Sequence, residues 1–122
     1  MHAIIVLGHG SRSAEATAQF LEVVGYLRER GVAATVLPAF MELAEPGLPA
    51  AFAEAVAGGA TRVTVLSCFL FQGNHIKRDV PEMLAQLKTR YPHIAIRFSR
   101  PIGPDPRIAD ILQSRVEEAA DV

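Results

Sequence analysis

Four times along this chain a short apolar run is followed by a segment whose hydrophobic residues recur at helical spacing, and this alternation constrains the fold more than any other feature. AIIVL at 3–7 is the continuous β-rich run expected of a strand buried on both faces of a parallel sheet. Residues 14–30 then carry Phe20, Val23, Val24 and Leu27 at helical spacing, with Gly31 placed to end the helix. AATVLPAF at 33–40 reads as a second strand, and its Pro38 belongs near a strand end or on a sheet edge. Residues 48–57 form the next helix, stopped by Gly58-Gly59, and TRVTVLSCF at 61–69 is the strongest strand signal. Asp79 and Glu82 stand at capping-box spacing, so a helix is predicted over 80–91. HIAIRFS at 93–99 alternates as a strand, and a last helix over 108–120 follows an Asp105-Pro106 cap and first-turn pair.

Connections this short between alternating elements imply an α/β fold, a parallel sheet with helices on both faces. No linker or low-complexity tract interrupts the chain, so residues 1–122 are predicted to form a single α/β domain. The strand order predicted for such a unit is 2-1-3-4. Strands one and three are then neighbours, and the crevice beyond their carboxyl ends is where open α/β sheets bind ligands.

Composition removes several classes of function. A net charge of −1 gives no general attraction to nucleic acid or to an anionic membrane, so any electrostatic recognition must be local. The one cysteine cannot close an internal disulfide. No apolar run approaches the ~20 residues a membrane helix needs. MH followed by AIIVL lacks the basic start and long apolar stretch of a secretion signal, so a cytoplasmic protein is expected.

Two histidines fall at equivalent places. His9 follows the first strand in IIVLGHGSR, and His75 follows the third in QGNHIKRDVPEM. The predicted order sets them facing one another across the crevice. A lone histidine in a loop is an ordinary polar surface residue; the shared position is what singles out the pair. Converging neutral imidazoles suit a borderline divalent transition metal, and Glu42 or Glu45, in FMELAEP after the second strand, can add a carboxylate. Imidazole serves equally as a general base, its ordinary pKa being roughly 6.5, and spacing does not choose between these roles. Arg12, Lys77, Arg78 and Arg100 fall on the same side and can bind carboxylates or phosphates. His2 and His93 fall at the opposite edge, and Cys68, inside an apolar run, reads as an inert buried thiol. GHGSRS departs from a dinucleotide-binding G-x-G-x-x-G because Ser13 replaces the third glycine.

LGHGSR at the first strand end, FMELAEP at the second and GNHIKRDVPEML at the third together resemble the short-form sirohydrochlorin chelatases, ATP-independent relatives of ferrochelatase, over nearly the whole chain. The resemblance implies a chelatase-like half: one unit that inserts Co2+, or alternatively Fe2+ or Ni2+, into sirohydrochlorin on the way to cobalamin or a related tetrapyrrole. It carries catalysis and metal binding onto His9, His75 and Glu42, and substrate binding onto Ser11, Arg12, Asn74 and Lys77. Asn74 stands where many relatives carry a second glycine before the histidine. The metal is a substrate, and no tightly bound cofactor is implied. A carrier of metal or tetrapyrrole that catalyses nothing is the reading from another class. The long forms join two such units around one cleft, so a homodimer is expected, with neither nucleic acid nor membrane as partner.

Overall fold

Strand β1 (His2–Gly8) is buried from Ala3 to Gly8, as its unbroken apolar run requires. A computed structural model of the chain describes residues 1–71 and 73–122, and their side chains except that of His75. After β1 come α1 (Ala14–Glu29), β2 (Thr35–Phe40), α2 (Leu48–Ala57), β3 (Arg62–Ser67), α3 (Asn74–Arg90), β4 (Ala95–Phe98) and α4 (Pro106–Glu118). The sheet has four strands in the order β2-β1-β3-β4, all parallel, with Ile5 in register with Leu37 on one side and Val65 on the other. The predicted order is therefore the observed one, and Pro38 sits in an edge strand, where a missing ladder donor is tolerated.

Helices cover the two faces unequally. On one face Leu48, Ala51, Phe52 and Ala55 of α2, with Ile76, Val80 and Leu87 of α3, pack on Ile5, Leu7, Val63 and Val65. Each large side chain buried there contributes about 1.5–3 kcal/mol. On the other face α1 packs Val24, with Phe20 and Leu27, on Ile4, Val6 and Val36. No residue of α4 is buried. Among the described residues no helix is long and apolar enough to cross a membrane.

Two terminal signals act as read. Gly31 takes φ +64 just past the C-cap of α1, and Asp105 caps α4 by accepting the Arg107 N–H at 2.9 Å. The start of α3 differs. It begins at Asn74, with Gly73 as N-cap, so Asp79 and Pro81 lie inside the helix and the Asp79–Glu82 capping box is not formed. Ile76, Val80, Met83, Leu84 and Leu87 recur at helical spacing and reach the core, and that burial carries the helix through the proline. Asp79 and Pro81 imitated a helix start; the periodicity that begins at Ile76, three residues before Asp79, was the stronger signal. β3 also stops at Ser67, two residues short of the predicted end.

Candidate functional site

The sheet's hydrogen bonding continues past the carboxyl end of β1 and fixes three loops together. Met41 N–H donates to Gly8 O at 2.9 Å, Glu42 N–H to His9 O at 3.1 Å, and Cys68 N–H to Leu7 O at 2.9 Å. His9 and Glu42 are thereby adjacent along the backbone, on loops from neighbouring strands. Gly10 makes this approach possible: it holds φ +91, and a Cβ there would collide with the Glu42 carbonyl oxygen. Leu43, next along, is the one described non-glycine residue with positive φ, at 65°. The segment carrying Glu42 thus holds a turn that costs of order 1–3 kcal/mol.

The side chains around this junction divide into those that present chemistry and those that support it. His9 is exposed, its ring edge-on to Phe69 with centroids 4.4 Å apart, while Phe69 itself is buried. Phe69 limits the rotation of an otherwise free imidazole. Sequence reasoning passed over it because a phenylalanine in VTVLSCFLF reads only as core. Glu42 is exposed, as are Arg12, Asn74 and Lys77. Ser11 accepts the Ser13 N–H at 3.0 Å, and Ser13 caps α1 through the Ala16 N–H at 3.2 Å. Ser11 is therefore committed to shaping the turn and keeps its hydroxyl proton for a ligand. His75 lies in the first turn of α3 and not in a loop, and its side chain lies outside the described residues. The structure brings His9 and Glu42 together and places Asn74 and Lys77 at the adjoining helix start. Among the described residues no three of His, Cys, Asp and Glu gather as a metal site, a statement that does not include the His75 imidazole.

Two cavities open near the carboxyl ends of the strands, the first of them at the junction. One, of about 220 Å³, is bounded by His9, Ser11, Thr17, Phe20, Phe40 and Cys68. The Cys68 thiol is half-buried and burial pushes its pKa up, in keeping with an inert thiol. The second, also about 220 Å³, opens between α3 and the end of β4 and is lined by Ser67, Lys77, Phe98 and Arg100 among others. The Ser67 hydroxyl is buried and has no partner among the described residues, which costs about 1–3 kcal/mol unless a ligand or water supplies one. With two exposed cations at its rim, this cavity suits an anion. Ser67 escaped the sequence reading; its only signal is a hydroxyl amid seven apolar neighbours in VTVLSCFLF. Leu43, Leu70 and Phe71, about half or more exposed, add apolar surface from the loops after β2 and β3.

At the far edge, His2 Nε2 lies 2.8 Å from Thr64 Oγ1. Burial, then Arg62, Arg97 and the amino terminus, lower its pKa below the ordinary 6.5. Arg78 is paired with Asp79 at 3.2 Å and exposed.

Comparison with known proteins places this arrangement. The sirohydrochlorin ferrochelatase of Arabidopsis thaliana chloroplasts is 36% identical over 114 residues, which are 93% of this chain and 51% of that protein. The sirohydrochlorin cobaltochelatase of Methanopyrus kandleri is 32% identical, over 98% of this chain and 97% of that one. The chain thus spans about half the length of the first relative and nearly all of the second. Among solved structures, the sirohydrochlorin chelatase SirB of Bacillus subtilis subspecies spizizenii in complex with cobalt superposes with a TM-score of 0.92 at 32% identity, over 98% of this chain and 51% of that one. The CbiX family model matches residues 3–119, a span containing all of the sheet but His2, the locked His9–Glu42 junction and the start of α3, and the chain belongs to the CbiX family.

Proposed function

We propose that this protein is a sirohydrochlorin chelatase that inserts a divalent metal, Co2+ in the first reading, without nucleotide energy. The observation that carries the reading is the junction at which Glu42 N–H is bonded to His9 O, putting an imidazole and a carboxylate on adjacent loops beyond the strand ends. His75, in the first turn of α3, is the proposed second imidazole. Cobalt is supported by the cobaltochelatase matched over 97% of its length. Iron is the second reading, supported by the ferrochelatase at 36% identity.

The proposed chemistry follows from what these groups can do. The imidazoles hold the ion through neutral nitrogen with open positions left for the macrocycle nitrogens. Four metal–nitrogen bonds replace the ion's bonds to protein and water, and the two pyrrole N–H bonds that break give their protons to Glu42 or to an imidazole that has released the ion, then to water, so one divalent cation in is matched by two protons out. Leu70 and Phe71 offer apolar contact to the flat ring, and the Ser67–Lys77–Arg100 cavity takes one peripheral carboxylate. Ser11, Arg12 and Asn74 line the approach. A flat tetrapyrrole is wider than the edge of one such sheet, so a second copy of the chain is proposed to close the site.

The test is an anaerobic absorbance assay of sirohydrochlorin with Co2+, Fe2+ or Ni2+, with and without protein, and with His9→Ala. Catalysed insertion that collapses in the variant is expected, fastest with Co2+. Insertion at the uncatalysed rate with all three ions would mark a carrier instead.

A further inference from the structure

A metal-binding imidazole is ordinarily aimed by the hydrogen bond that its second nitrogen makes to a carboxylate or a backbone carbonyl. His9 departs from this. Among the described residues its ring makes no hydrogen bond, and its one ring contact is with Phe69, centroids 4.4 Å apart and planes at 67°.

The backbones on the two sides of that contact are both fixed, and to different neighbours. Gly8 O accepts the Met41 N–H at 2.9 Å and His9 O the Glu42 N–H at 3.1 Å, which ties His9 to the loop after β2. Cys68 N–H donates to Leu7 O at 2.9 Å, and Phe69 O accepts the Ile102 N–H at 2.9 Å, which ties Phe69 to the segment after β4. Phe69 is 2% exposed and shares the core cluster of Ile76 and Val80. An exposed imidazole on a fixed backbone keeps only its two side-chain torsions. A buried ring set against it removes much of that freedom.

We propose that Phe69 is the positioning residue of His9: an aromatic ring aims the imidazole in place of a hydrogen-bonded orienter. The two devices differ in what they leave behind. A hydrogen bond aims an imidazole by occupying one nitrogen, and so chooses the tautomer. A ring contact aims it and occupies neither nitrogen. His9 therefore keeps one nitrogen for the ion and the other for water or substrate, in either tautomer. Once the ion has left, the same side chain is still aimed and can take a proton. Segment 99–103 supplies no ligand, yet through Ile102 and Phe69 it sets the angle of one. The inference rests on the chelatase reading above and adds how one of its ligands is held.

Phe69→Leu tests it, since leucine stays apolar and lacks the flat ring. Phe52→Leu is the control: Phe52 is as deeply buried, but its ring lies against Tyr91, centroids 5.2 Å apart. Both variants should lower Tm. Calorimetry with Co2+ alone should show Phe69→Leu binding about five- to tenfold more weakly, the effect of losing one pre-ordered side chain. Its kcat should fall on the order of tenfold while KM for sirohydrochlorin stays within about twofold, since the buried ring meets the imidazole and not the macrocycle. Phe52→Leu should leave Co2+ affinity and kcat unchanged. No loss of affinity in Phe69→Leu, or an equal loss in both variants, overturns the inference. NMR of the metal-free wild type needs no variant: it should show one His9 rotamer with cross-peaks to the Phe69 ring, and ¹⁵N shifts of both neutral tautomers at about pH 8. Rotamer averaging, or a single tautomer, overturns the inference as well. A wild type that neither binds nor inserts Co2+ overturns the chelatase reading, and the NMR result then decides the role of Phe69 on its own.

Discussion

Replacing Gly10 by alanine sets a methyl group against the Glu42 carbonyl oxygen, at a residue whose φ is +91. Two costs add. Holding an L-residue in a left-handed conformation costs about 1–2 kcal/mol. Relief of the clash requires the 41–43 loop to retreat by on the order of an ångström, which breaks the 3.1 Å bond from Glu42 N–H to His9 O, worth about 1 kcal/mol. The expected loss is about 2–3 kcal/mol, or roughly 10 °C in Tm for a domain of this size. Because the same retreat moves Glu42 away from His9, turnover should fall on the order of a hundredfold. Gly31→Ala is the control: φ is +64 there, but a Cβ would meet nothing within 4 Å, so only the conformational cost applies and turnover should not change. Thermal unfolding by circular dichroism and the anaerobic insertion assay measure both quantities. If Gly10→Ala lost no more stability than Gly31→Ala and kept its turnover, the backbone junction would not be what positions the two groups.

Glu42→Gln keeps shape but cannot accept a proton at neutral pH, so insertion should slow by about 10²–10⁴-fold, with metal affinity, read by calorimetry, falling less than in His9→Ala. Lys77→Gln and Arg100→Gln should each raise KM for sirohydrochlorin by about threefold with kcat little changed, an effect that added salt reproduces. Ser67→Ala should raise KM too while making the fold slightly more stable, by up to about 1 kcal/mol, since it removes an unpartnered buried hydroxyl; a stability loss would show that the hydroxyl is satisfied internally. His2 has its folded pKa lowered, so its contribution is full above about pH 6.5 and is lost as pH falls from there towards the folded value. His2→Gln should flatten the decline of Tm just below pH 6.5.

The sheet order was legible because alternation and connection length leave few topologies, and Pro38 alone pointed β2 to an edge. The location of the candidate site followed from that order, since His9, Glu42 and the His75 segment all succeed strands. Finer features depend on which atoms meet. That Gly10 is pressed against Glu42 cannot be read from a glycine between a histidine and a serine, and Ser67 looks like any other residue of an apolar run. The start of α3 was misplaced for a local reason: Asp79, Pro81 and Glu82 carry every mark of a helix beginning, and only burial of Ile76 and Val80 overrides them. α4 carries the predicted cap but runs Pro106–Glu118, two residues earlier at each end than the predicted 108–120, because Pro106 already stands in its first turn.

Cys68 has a consequence for the proposed reaction, in which the site must give its metal away. It shares a cavity with His9, so a thiolate there would be a soft, anionic anchor for cobalt or iron. Burial raises the thiol's pKa, so before an ion arrives the sulfur is protonated, a poor nucleophile and a poor ligand. In the proposed reaction the ion is then handed on from the nitrogen and oxygen donors of His9, His75 and Glu42, whose bonds exchange one by one for those of a macrocycle.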